Sequence, residues 1–145
     1  MIRPFRQEDR DTYLAMSEIF YHSSAVSHPV DSAHFSRTFD TIMAGTPYAL
    51  GVMVECEGKV VGYGLSSISY SNEAGGLQML LEELYIDPEY RSRGLGKEFF
   101  DYMESYPLDI KRYRLEVTAG NRAKHLYDRL GYEQLDYIQM VKDLD

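Results

Sequence analysis

Apolar positions along the chain alternate between the spacing of strands and that of helices. Ile2 to Arg6 predicts a short first strand, and Tyr13, Leu14, Met16 and Phe20 then recur at helical spacing, with Asp9 placed to cap a helix ending near Tyr21. The stretch Tyr21 to Pro29 has no clear period and ends at proline, so it predicts a loop. A second helix is predicted from Phe35, Phe39, Ile42 and Met43, capped near Asp31 or Ser32 and stopped by Gly45 and Pro47. From Tyr48 the alternation is that of strands: Ala49 to Cys56, Val60 to Ser69 and Leu77 to Ile86, joined by turns at Glu57-Gly58-Lys59 and at Gly75-Gly76. Leu95, Phe99, Met103 and Tyr106 then make one helical stripe ended by Pro107. Arg112 to Thr118 alternates as a strand. A helix through Ala123, Leu126, Tyr127 and Leu130, with Asn121 before it and Gly131 after it, and a final strand from Tyr132 to Lys142 complete the chain.

The resulting order, β-α-α-β-β-β-α-β-α-β, predicts one α/β domain over residues 1–145. A strand, crossover helix and strand from Leu80 to Thr118 must run parallel if they share a sheet. The sheet is therefore mixed, with helices on both faces, and the gap between those two strands favours a ligand. At 145 residues, with 44% apolar and 26% charged positions, the chain can bury a core without disulfides. No apolar run reaches the roughly 18 residues of a membrane span, and the N-terminus lacks a secretory h-region, so no membrane partner and a cytoplasmic location are expected. Cys56 is the one cysteine and reads as a buried filler. A net charge of −8 disfavours nucleic acid as a partner and mildly favours cationic ligands.

The densest chemistry lies at Tyr85-Ile86-Asp87-Pro88-Glu89-Tyr90-Arg91-Ser92-Arg93-Gly94-Leu95-Gly96-Lys97, a strand that stops at proline and a basic, glycine-bearing turn that opens a helix. Backbone N–H groups at a helix start have no partner within the helix, so they can converge on phosphate oxygens. Gly94 and Gly96 lack the Cβ atoms that would obstruct that approach, and Arg91, Arg93 and Lys97 add cationic donors. The dinucleotide pattern fails because position 99 is Phe99, and no Walker-type string occurs. What remains, R-x-x-G-x-G after L-Y-I-D-P-E-Y-R, closely resembles the acetyl-CoA signature of the GCN5-related N-acetyltransferase (GNAT) superfamily. The segment Asn121 to Tyr132 resembles that family's N-x-x-A-x-x-x-Y-x-x-x-G-F/Y segment, and the predicted topology matches its fold over essentially the whole chain.

The resemblance implies an acetyl-CoA-dependent N-acetyltransferase acting on a primary amine, with acetyl-CoA as co-substrate. Leu84, Tyr85 and Ile86 would meet the pantetheine arm, Arg91, Ser92, Arg93, Gly94, Leu95, Gly96 and Lys97 the pyrophosphate, and Tyr127 would protonate the departing thiolate. Asn121 could cap its helix or contact the co-substrate; capping is the expectation from its position. Strand alternation sends the adjacent carboxylates Glu82 and Glu83 to opposite faces, so only one is expected to face the cleft and bind or deprotonate the amine. The resemblance to polyamine- and aminoglycoside-type enzymes favours Glu82. Tyr21, His22 and His28 would line the acceptor pocket, since in this family the loop between the first two helices covers the amine site. His22, His28 and His34 lack metal-ligand spacing, so no metal is expected. Two rival readings stay open: a noncatalytic CoA-binding regulatory domain, and a phosphate- or nucleotide-binding module that uses the basic turn. The sequence leaves the acceptor amine unspecified and a homodimer open.

Overall fold

The computed structural model describes residues 1–23, 26, 28–118 and 120–144. Five strands, β1 (Ile2–Pro4), β2 (Ala49–Cys56), β3 (Lys59–Ser71), β4 (Gly76–Ile86) and β5 (Ile110–Leu115), form one sheet in the order β1-β2-β3-β4-β5. The first three junctions are antiparallel, and β4 with β5 is parallel, as the crossover through a helix requires. Glu57 and Gly58, both at positive φ, make the two-residue turn between β2 and β3 that a tight hairpin needs.

Helices α1 (Arg10–Tyr21) and α2 (Ala33–Met43) cover one face, burying Tyr13, Phe35 and Phe39 against Met53, Tyr63, Leu65 and Tyr85. On the other face α3 (Leu95–Glu104) lays Phe99, Phe100 and Met103 against Val52, Met79 and Leu81, and α4 (Ala123–Arg129) adds Leu126 and Tyr127 at the margin. Gly64 decides how closely α3 can sit, because a Cβ on it would collide with the ring of Phe99.

Two expectations change. Asp9 does not cap α1. It lies buried in a short 3-10 turn, where its carboxylate takes a fork of two bonds from the Arg3 guanidinium, at 2.7 and 2.9 Å, and a third from the Arg6 N–H. Second, residues 132–142 form no strand. Leu135, Tyr137, Ile138, Met140 and Val141 occupy both parities, so a strand there would need cover on two faces, and these side chains are exposed. The outer edge of β5 is consequently unpaired among the described residues.

Arg3 on β1 is buried between Asp9 and Glu55, so one cation ties the first strand, the start of α1 and β2 together. The Arg3 bonds hold the Asp9 carboxyl below its ordinary value of 3.8. A carboxylate whose pKa is lowered by folding contributes stability that is present above its unfolded value and lost as pH falls through the folded one. Asp9→Asn should therefore cost about 3–5 kcal/mol, because it leaves the buried guanidinium partly unpaired. It should also flatten the dependence of Tm on pH below about 4 relative to the parent protein. Thermal melts of the two proteins between neutral and acidic pH measure both effects.

Candidate active site

The site is built where β4 parts from β5. The parallel ladder ends at Leu81–Leu115, while β4 continues to Ile86 beside β3 alone. The backbone of Glu82 to Ile86 therefore has an open side. A bulge lies at the point of departure: Leu65 pairs with Glu83 and the next residue, Ser66, pairs with Leu81, so Glu82 is the extra residue.

That insertion reverses the parity of β4. Met79 and Leu81 face α3, whereas Glu83 and Tyr85 face α1 and α2, and Leu84 and Ile86 turn back toward α3. The expectation that Glu82 and Glu83 point to opposite faces fails for this reason. Glu82, exposed, accepts a bond from Ser67 Oγ at 2.9 Å, and Ser67 shares the α1 side of β3 with Tyr63 and Leu65. Both carboxylates thus stand on one side of the sheet, and they differ in environment rather than in face.

Glu83 is the enclosed one. Tyr63 Oη donates to its Oε1 at 2.7 Å, and Tyr21 Oη, from the last residue of α1, donates to Oε2. Burial pushes the Glu83 carboxyl above its ordinary value, the two phenol bonds oppose that rise, and the negative charge of Glu82 adds to it. Burial and the neighbouring carboxylate push both phenols upward as well. Tyr21 stacks on Phe35 of α2, ring centroids 4.9 Å apart, which holds it over the bulge. Sequence reasoning did not single out Tyr63. Its signal was a tyrosine between two glycines in a strand buried on both sides, where the hydroxyl needs a partner.

At the far end of β4, Pro88 to Tyr90 make a 3-10 turn capped by Asp87, and the chain reaches α3 through Ser92 (φ 63°) and Gly94 (φ 81°), both left-handed. The N–H groups of Ser92 to Lys97 have no acceptor among the described residues, so a row of donors is presented at the start of α3. A Cβ on Gly96 would meet Leu126 at 3.6 Å and Leu84 at 3.9 Å, ordinary contacts, so internal packing alone does not demand glycine there. The cationic side chains are engaged locally: Arg91 Nε donates to the Ile86 carbonyl at 2.9 Å, Arg93 lies over the Tyr90 ring and 3.6 Å from Glu57, and Lys97 pairs with Asp101. Leu95 is buried beneath the turn with Val54 and Val61. Cys56 sits half-buried at the edge of that cluster.

Tyr127 lies half-buried against Phe100 and Tyr132, in the cluster that also holds Leu84 and Leu115 on the two diverging strands. Burial alone raises its hydroxyl above the ordinary value, and no hydrogen-bond partner for it is found among the described residues. Asn121 acts as a cap, its Oδ1 accepting from the Ala123 N–H at 2.9 Å. His22 is exposed and bonds the Glu18 carbonyl through Nδ1 at 2.6 Å, so it turns back along its own helix, and His28 is exposed. Residues 24, 25 and 27 of the expected acceptor loop lie outside the described residues. No helix among the described residues is long and apolar enough to cross a membrane.

Comparison with known proteins agrees with this architecture. Over 79 residues the chain is 40% identical to the thialysine N-epsilon-acetyltransferase of Bos taurus and 35% identical to that of Mus musculus. Each match takes in 52% of this chain and 46% of the relative, so the chain spans about half the length of the curated relatives it matches. The fold superposes on a solved structure described as "a possible acetyltransferase from Clostridium difficile 630", with TM-score 0.81 and 20% identity over 100% of this chain and 97% of that one. It also superposes on aminoglycoside N-acetyltransferase AAC(6')-Iy in complex with CoA, with TM-score 0.80 and 13% identity over 99% and 93% of the two chains. The model of the acetyltransferase (GNAT) family matches residues 11–132, and the chain belongs to that family.

Proposed function

We propose that residues 1–145 act as one acetyl-CoA-dependent N-acetyltransferase domain that moves an acetyl group to a small, cationic amine. The observation that carries this reading is the run of β4 past the end of β5. It joins three things an acyl transfer needs: open backbone for an extended arm, bare N–H donors for a pyrophosphate, and a shielded carboxylate. The described relatives, acetyltransferases of a lysine analogue and of aminoglycosides, one of them holding CoA, support the choice of co-substrate and of an amine acceptor.

In this reading the open side of Leu84 to Ile86 receives the pantetheine amides, the turn from Arg91 to Lys97 receives the pyrophosphate, and the thioester lies beside the bulge. An ammonium enters from the α1–α2 side, drawn by Glu82 and Glu83 and lined by Tyr21. Transfer requires the amine to be neutral, and Glu83 takes its proton directly or through a water. Glu83 is the better base because burial raises its affinity for a proton, whereas Glu82 is exposed to solvent. As the C–S bond breaks, the Tyr127 hydroxyl supplies the proton to the thiolate. His22 and His28 are assigned to the rim of the acceptor pocket rather than to the reacting groups.

Four variants test the assignment. Gly96→Val should weaken CoA binding at least tenfold in a calorimetric titration while the protein stays folded, because the branched side chain would reach toward Leu84 and Leu126 and narrow the gap between β4 and α4 beside the donor turn. Glu83→Gln should slow turnover by roughly 10²–10⁴-fold, and Glu82→Gln should act mainly on KM for the amine; steady-state assays of CoA-thiol release separate the two. Tyr127→Phe keeps the ring against Phe100 and should slow turnover at saturating acetyl-CoA by roughly 10²–10⁴-fold, with little change in Tm. Turnover equal to the parent protein would remove Tyr127 from the mechanism.

A further inference from the structure

A carboxylate enclosed by protein usually has a cation beside it, and the groups bonded to Glu83 among the described residues are two phenols. The groups that face it are Tyr13 and Tyr21 from α1, Tyr63 from β3, and Glu82 and Tyr85 from its own strand; the contribution of α2 is the apolar ring of Phe35 behind Tyr21. No lysine, arginine or histidine acts on it among the described residues. Both of its oxygens instead accept from a phenol. The two phenols stay donors across the working range, since burial and the adjacent negative charge hold their own protons more tightly than in free tyrosine.

The two donors are mounted differently. Tyr63 is fully buried, edge-on to Tyr13 with ring centroids 5.0 Å apart and stacked on Tyr85 at 6.0 Å, so its hydroxyl has a fixed position. It sits diagonally across the β3–β4 ladder from Glu83, because Tyr63 pairs with Tyr85 and Leu65 pairs with Glu83. Tyr21 closes α1 at the edge of the acceptor loop.

We propose that Tyr63, assisted by Tyr21, is the positioning residue of the site: its hydroxyl replaces a cation in fixing the Glu83 carboxylate and preserving its charge, leaving one acceptor site on each oxygen for the incoming amine. The inference rests on the reading of Glu83 as base and adds what makes that base serviceable. A donor that favours the charged form lowers the pKa of a carboxyl, so its removal raises it. The pH at which the site becomes active is then set by two phenols on other elements.

The experiment follows the Glu83 carboxyl directly by 13C NMR titration of protein labelled at glutamate side-chain carboxyls, the signal being assigned by its loss in Glu83→Gln. In Tyr63→Phe the midpoint should move upward by about one pH unit, the size of one hydrogen bond to a charged group, and the acid limb of kcat/KM should move with it. KM for acetyl-CoA should stay unchanged. Tyr21→Phe, at a half-buried position, should give a shift of the same sign and provides the measurement if Tyr63→Phe does not fold. An unshifted Glu83 midpoint in the folded tyrosine variants would overturn the inference. Full turnover in Glu83→Gln would instead overturn the role of Glu83 as base, and the titration would still report whether the phenols hold its charge.

Discussion

Strand β4 has one residue more than β3 can pair with, and it has it at the point where β5 leaves the sheet. A strand hydrogen-bonded on both sides is held to strict alternation, because each residue's carbonyl and N–H are committed to fixed neighbours. Once the β5 ladder ends at Leu81, that commitment lapses on one side and Glu82 can be inserted at the cost of local pairing alone. The insertion sends Glu83 and Tyr85 to the α1–α2 side and returns Leu84 and Ile86 to the α3 side, where they pack beside Leu95. Without it the chain would place Leu84 among the aromatic rings of the first face and Glu83 among Met79, Phe99 and Met103.

A buried carboxylate and a half-buried one show how the same protein treats a desolvated charge in opposite ways. Asp9 is matched by a guanidinium in a bidentate fork and by a backbone N–H, so its proton affinity falls and it serves to bind β1 to α1. Glu83 is given neutral donors only, so burial prevails and its proton affinity rises. A guanidinium beside Glu83 would have stabilised the charge more strongly, and it would have made the carboxylate a poor acceptor for the proton of an amine. The first arrangement also supports the second. Arg3 and Asp9 fix the start of α1, the helix whose last residue reaches across to Glu83.

The turn at the start of α3 separates backbone from side chain. Left-handed φ at Ser92 and Gly94 turns a run of N–H groups toward solvent, while Arg91, Arg93 and Lys97 are drawn to Ile86, Tyr90 and Asp101. The donor row is therefore inherent in the fold, and the cationic groups are held close by rather than extended over it. Arg91 in particular fastens the turn to the end of β4, which keeps the bulge and the helix start in a fixed relation.

Much of this was written in local sequence. The bounds of β2 agree residue for residue with the alternation of Ala49 to Cys56, the α3 stripe of Leu95, Phe99 and Met103 is buried as its spacing requires, and Asn121 caps α4. Periods of 2 and 3.6, caps and a glycine-bearing helix start are properties of neighbouring residues, so a linear reading reaches them. The family signature from Arg91 to Gly96 is local for the same reason. What alternation could not supply was the side to which Glu83 points, since the bulge lies where β4 pairs with β3 alone, past the end of the β5 ladder. Nor could it supply the Tyr21 and Tyr63 bonds, which join residues 62 and 20 positions apart. The expected strand at residues 132–142 failed likewise, because a strand needs a paired edge and covered faces, and tertiary structure alone provides them. Sequence determined the elements as far as α4, the family and the donor turn. Packing between elements decided which carboxylate is enclosed and what holds it.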